Sequence, residues 1–183
     1  MASGLLFTGE VTIRLEPKFA TEFTLHLHLP SWSEASRITL NGDAVNIQLV
    51  KPVFEPTAQG FDPRLARFLP IRRVWSAGDA LQISFDLPIV LRRAHPKVKG
   101  HQKKTALTSG PLVYCLESVD NPGVDIFACR LEPSSLKVEF ATAILGGIWV
   151  LRGQDASGRP LTFIPYHLWA NRGESQMTVW VDL

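Results

Sequence analysis

The stretch Phe23-Thr24-Leu25-His26-Leu27-His28-Leu29 alternates apolar and polar side chains without a break and stops at Pro30-Ser31-Trp32. On an extended strand successive side chains point to opposite faces, so a period of two leaves one face apolar. Winding the same residues into a helix would spread the leucines around the whole circumference. The run therefore predicts a strand with Phe23, Leu25, Leu27 and Leu29 against a core. Thr24, His26 and His28 are then left facing water or a partner surface.

The same grammar recurs along the chain. Val11, Ile13 and Leu15 alternate with polar neighbours until Pro17. Residues 37–40 and 44–49 flank Asn41-Gly42, a pair that accepts the positive φ angles of a type I′ hairpin turn. Leu81, Ile83, Phe85 and Leu87 alternate after a turn at 76–79. The segment 71–75 leads into that turn, and further strands are expected at 112–116, 136–140, 148–151, 161–164 and 177–181, with a turn at Ser109-Gly110-Pro111 and a turn or bulge at Leu145-Gly146-Gly147. Residues 52–70 are less regular; Asp62-Pro63 can open a short helix over 62–68 or the segment can stay a loop. Many short strands separated by turn signals predict an all-β chain, an antiparallel, jelly-roll-like β-sandwich in two packed subdomains. The basic stretch 94–104, broken by Pro96 and Gly100, marks the boundary. Subdomain I is expected over 1–98 and subdomain II over 99–183, with the last strand able to return to subdomain I.

A length of 183 residues with 45% hydrophobic and 20% charged side chains suits one large β-unit or two small ones. The formal net charge of +2 is too small to call for nucleic acid or an anionic membrane as partner. The basic clusters Arg72-Arg73, Arg92-Arg93 and 97–104 read as solvated edges and loops. Cys115 lies in the apolar run Leu112-Val113-Tyr114-Cys115-Leu116, so a buried free thiol is expected there. A disulfide between Cys115 and Cys129 is the alternative, although a secreted scaffold of this size usually carries a denser framework. No apolar run reaches membrane-spanning length, and the N-terminus lacks the basic and apolar regions of a signal peptide. Cytoplasmic placement is the expectation.

Chemistry is harder to find. His26 and His28 share one strand face and have the spacing of two zinc ligands, but no third ligand is evident, and two solvent- or partner-facing histidines are the plainer reading. The chain has no Gly-x-Ser-x-Gly elbow and no phosphate-cradling glycine loop. Glu55, Asp62, Asp86, Glu117 and Asp125 are carboxylates that spacing alone cannot pair into a hydrolytic site. Five tryptophans remain as chemical handles. Trp32, Trp75, Trp169 and Trp180, with His26 and His28, are candidates for a carbohydrate or partner surface, although packing is the commoner use of each tryptophan. Trp149 is read as either core or surface.

Several phrases are specific in their order. They are Leu27-His28-Leu29-Pro30-Ser31-Trp32-Ser33, Leu40-Asn41-Gly42, Val74-Trp75-Ser76-Ala77-Gly78-Asp79 and Arg93-Ala94-His95-Pro96-Lys97-Val98. Ala106-Leu107-Thr108-Ser109-Gly110-Pro111-Leu112-Val113-Tyr114-Cys115-Leu116-Glu117 follows, then Ile164-Pro165-Tyr166-His167-Leu168-Trp169-Ala170-Asn171-Arg172-Gly173. From about Val11 to the end this set resembles the C-terminal region of glycoside hydrolase family 127, the β-L-arabinofuranosidase-like family. The resemblance implies β-sandwich domains that in the full enzyme follow an (α/α)6 barrel. The barrel carries a cysteine nucleophile held with zinc by further cysteines and a glutamate, plus an acid/base glutamate. No phrase here matches that barrel, so neither role passes to Cys115 or Glu117. The segment 52–70 departs from the family pattern. The implied function is a non-catalytic accessory module without cofactor, acting in packing, assembly or oligomerisation; the alternative is a module that binds arabinose-containing glycans. Expected partners are a second copy, a separate catalytic-barrel protein or a carbohydrate.

Overall fold

The computed structural model describes residues 2–33, 35–46 and 67–183. The expected strand continuation at 47–49, the helix-or-loop segment up to residue 66, and Glu55 and Asp62 lie outside these residues. The described chain is all β, with antiparallel strands and a few 3-10 turns. It divides into two compact units, residues 1–87 and 88–183. The division precedes the basic stretch instead of falling at 98/99. The reason lies in the hydrogen bonding: Ile89–Arg93 pairs with Lys104–Ser109, so both flanks of the basic stretch belong to one hairpin.

The first unit is layered. Its five-stranded sheet runs in the order β1 (Ala2–Ser3), β2 (Glu10–Arg14), β7 (Ala80–Ser84), β4 (Arg37–Leu40), β5 (Asp43–Ala44). A separate pair, β3 (Thr21–Leu29) and β6 (Arg67–Trp75), forms the second layer. Val11, Ile38, Leu81, Ile83 and Phe85 from one layer meet Leu27, Leu29, Leu69 and Trp75 from the other in a single core. Burial along β3 follows the predicted alternation at Leu27 and Leu29, is partial at Leu25, and fails at Phe23, which is 37% exposed. Trp75 takes the core position there. Its ring is fully buried, its indole N–H donates to the Phe23 carbonyl at 3.0 Å, and the Phe23 ring stacks outside it at 5.8 Å. Asn41 and Gly42 have φ of 52° and 95°, the double positive value that the type I′ turn demands. Pro70 sits inside β6, opposite His26. Proline is tolerated in an edge strand, where its missing donor faces away from the ladder.

The second unit is one curled antiparallel sheet. Its main order is β11 (Leu131–Ala141), β12 (Ile148–Asp155), β13 (Pro160–Pro165), β10 (Leu112–Glu117), β9 (Lys104–Ser109), β15 (Val181–Asp182). β8 (Ile89–Arg93) also pairs with β9, and β14 (Met177–Thr178) with β10. Both faces are covered. Leu107, Tyr114, Leu116, Leu151, Leu161 and Phe163 join one core, which Ile126, Cys129 and Val181 close. Cys115, Val150 and Ile164, the alternate positions on the same strands, face a smaller cluster covered by Ile144, Leu168, Met177 and Val179. The expected strand 177–181 is two short pieces. The Thr178 hydroxyl donates to the Trp180 carbonyl at 3.0 Å and accepts from its N–H at 3.2 Å, which breaks the alternation. The final piece stays in the second unit, on β9. Among the described residues no helix is long and apolar enough to cross a membrane.

Candidate functional site

The two longest sequence phrases meet in the second unit. Antiparallel pairing of β10 with β13 sets Cys115 opposite Ile164 and Leu116 opposite Phe163. Beyond β13 the chain makes a 3-10 turn at Tyr166–Leu168 and folds back over the end of β10. Glu117 waits there, fully buried. One carboxylate oxygen accepts from the Ala170 N–H at 2.8 Å and the Ser175 hydroxyl at 2.7 Å; the other accepts from the Arg172 guanidinium at 2.5 Å. Arg172 also forks onto both oxygens of Asp120, in the turn that follows β10. The return strand closes the arrangement, because Ser118 N–H donates to the Gln176 carbonyl and Gln176 N–H to the Ser118 hydroxyl, each at 2.9 Å.

This geometry is a clamp. Removing the Glu117 carboxylate from water pushes its pKa up, but Ser175, the Ala170 N–H and the Arg172 cation outweigh that and hold it below the usual carboxylate range. A general acid needs the opposite displacement, and both Glu117 oxygens are already engaged. What the clamp fixes is the segment 166–175. Ala170 adopts φ of 60°, a conformation that ordinary L residues avoid, with its N–H bound to Glu117. Tyr166 and Trp169 on this segment are 44% and 38% exposed.

The remaining candidates are scattered. Trp75 is a core residue of the first unit and so is withdrawn from any surface. Trp32 is half-buried, packed beside the same core with its ring 5.7 Å from Phe85. Trp180 is half-buried and stacks on His101 at 5.0 Å with 10° between the rings. Trp149 is half-buried beside the exposed Phe140, with ring centroids 5.3 Å apart. His26 and His28 are exposed, and the His28 ring lies 5.1 Å from Phe68. Asp86 is exposed, and Asp125 accepts a turn hydrogen bond from the Phe127 N–H. A shallow groove on the second unit is lined by Lys137, Glu139, Arg152 and Gln154, with Arg152 tied to Glu139 at 3.1 Å and to Thr162.

The described residues do not fit a zinc centre. Among the described residues no three His, Cys, Asp or Glu converge on one point. Cys115 and Cys129 are both free, buried and in different clusters. Burial pushes the Cys115 thiol up to about 12, reinforced by the Glu117 and Asp120 charges against the opposing pull of Arg172.

Sequence reasoning missed Asp120 and Arg172 as partners, since 52 positions separate them. The available signal was the bulky charged arginine inside an otherwise small, turn-forming Ala-Asn-Arg-Gly run.

A β-L-arabinofuranosidase of Bifidobacterium longum subsp. longum, named as acting at non-reducing ends, is 30% identical over 200 residues, covering 93% of this chain and 28% of the relative. The crystal structure of a family 127 β-L-arabinofuranosidase from Geobacillus stearothermophilus T6 superposes with a TM-score of 0.77 at 31% identity, over 99% of this chain and 29% of that one. A second solved glycoside hydrolase gives 0.79 at 26% identity, over 100% and 31%. The chain therefore spans less than a third of the length of these relatives. Residues 3–88 match the middle-domain model of the β-L-arabinofuranosidases of family 127, and residues 89–182 match the C-terminal-domain model, with the change of model falling where the fold itself divides. Two consecutive domain matches, in family order and each coinciding with one compact unit, make this chain a member of glycoside hydrolase family 127.

Proposed function

We propose that the chain acts as a non-catalytic accessory region, assembling with a catalytic barrel or with a second copy of itself. The observation that carries this reading is the pair of matches to the middle and C-terminal domains of the family. The clamp supports it, because the most buried carboxylate of the second unit is spent on positioning a loop and not on a substrate. Two measurements test it. The purified chain should release no product from a β-L-arabinofuranoside, whereas turnover that disappears on substituting one of its own residues would overturn the reading. Sedimentation should give a complex larger than one chain, either alone or with a family 127 barrel protein; a strict monomer that ignores such a barrel counts against it.

A second reading is a carbohydrate-binding module. Tyr166 and Trp169 favour it, being exposed aromatic rings on a loop whose backbone the clamp already fixes. Rigid aromatic faces suit sugar rings because little conformational freedom is lost on contact. Calorimetric titration with arabino-oligosaccharides should then give heat that Trp169→Ala removes.

A further inference from the structure

The chain's small net charge conceals a strong local excess. The thirteen residues 92–104 hold six of the nineteen Lys and Arg and none of the seventeen Asp and Glu. The rest of the chain thus has thirteen Lys and Arg against seventeen Asp and Glu, so the molecule is acidic outside one basic island. No acidic residue occurs anywhere from Leu87 to Leu116.

The fold concentrates this charge. Arg92 and Arg93 end β8 opposite Ala106 and Thr105 of β9, and Lys104 begins β9. His95, Lys97, Lys99 and Lys103 lie on the connection between them, so the whole island is the tip of a single hairpin. Arg92, Arg93, His95, Lys97, Lys99 and Lys103 are all exposed. Among the described residues only Lys104 of this set forms an ion pair, with Asp182 at 3.4 Å. The tip is also braced: Gln102 donates to the Pro96 carbonyl at 3.3 Å, and the Arg92 guanidinium donates to Thr108 at 3.3 Å. Within it the His101 ring lies flat on Trp180, a half-buried plate amid the cations.

Like charges crowded on one tip repel one another, and a polyanion laid across them relieves that repulsion. We propose that the β8–β9 hairpin tip binds an acidic polysaccharide, its cations facing uronate carboxylates and the His101–Trp180 plate facing a sugar ring. The choice of a glycan over nucleic acid rests on membership of a sugar-processing family, and it is independent of whether Trp169 binds neutral sugars. It also replaces the reading of residues 97–104 as merely solvated.

The full chain is titrated with polygalacturonate at about 20 mM salt, where screening is weak, and again at about 200 mM. Neutral dextran and a DNA duplex at equal charge concentration serve as comparators. Binding to polygalacturonate should fall steeply with salt, be absent for dextran and be tighter than for the duplex. Replacing Arg92, Lys97 and Lys99 together by Gln should weaken it about tenfold, as expected when three of six clustered charges are lost. These side chains are exposed, so an unchanged melting curve for the triple variant verifies folding. Lys137→Gln, on the opposite part of the sheet, should leave binding intact. No binding at low salt, wild-type affinity in the triple variant, or preference for the duplex would each overturn the proposal.

Discussion

At the scale of single residues, the distinctive phrases of this chain are pins. Asn41 and Asp79 come from two different phrases and meet, with the Asn41 amide donating to Asp79 at 2.8 Å and Asn41 accepting from the Ala80 N–H at 2.8 Å. Asp79 also accepts from Ser76 N–H at 2.9 Å, and that bond first, then Asn41, holds its carboxyl below the ordinary range. Ser33, fully buried, accepts from Asp86 N–H at 2.9 Å. Glu117 and Arg172 are the same device with full charges. Removing one partner of a buried ion pair strands the other in a poor dielectric, which costs about 3 kcal/mol or more. Arg172→Met should therefore lower the urea midpoint by a corresponding amount at pH 7, measured on the second unit's transition. The acid dependence has a definite sign. A carboxylate whose folded pKa lies below its unfolded value contributes stability above the ordinary carboxylate range and loses it as pH falls through the folded value. Stability should thus decline on acidification below about pH 4, and Glu117→Gln should flatten that decline. An unchanged acid limb in the variant would mean that Glu117 is not the group responsible. Cys115 should resist thiol reagents at pH 8 until the protein is unfolded, because a thiol titrating near 12 offers almost no thiolate.

At the scale of elements, the sequence was readable wherever one rule decided the outcome. Period-two alternation located β2, β3 and β7, since each of these strands turns one face to the core of the first unit. Asn41-Gly42 located its hairpin because only a double positive φ fits there. Alternation says less where both faces are buried, and β10 reads as an unbroken apolar run. It also misleads where a side chain competes with the ladder, as Thr178 does before Trp180. The pairing in the clamp was not legible, because the odd arginine in its turn does not say which carboxylates it meets 52 and 55 positions away. One glycine carries an elementary constraint. Gly9 has φ of 75°, and a side-chain carbon placed on it would sit 2.2 Å from the Phe85 carbonyl oxygen, while Phe85 N–H donates to the Gly9 carbonyl at 2.9 Å. Gly9→Ala must displace the β2–β7 junction and should cost about 2 kcal/mol or more in the first unit, read from its thermal midpoint.

At the scale of the whole molecule, the described cores are partitioned. The core around Trp75 draws on the first unit, and those around Phe163 and Cys115 draw on the second. Trp75→Ala should remove a fully buried ring and cost about 3–5 kcal/mol. Phe163→Ala, at 1% exposure, should cost a similar amount. If each unit has its own stability, Trp75→Ala should move local probes in residues 2–87 and spare those in 88–183, with the reverse for Phe163→Ala. Equal movement of both sets in both variants would mean that the two units unfold as one.

Strand β10 is flanked by β9, β13 and β14 and roofed on both sides by apolar clusters. Its peptide hydrogens can trade with solvent only when the second unit opens altogether. In deuterated water the amides of Cys115 and Leu116 should consequently be among the last to exchange, and their rate would serve as a direct gauge of that unit's global opening.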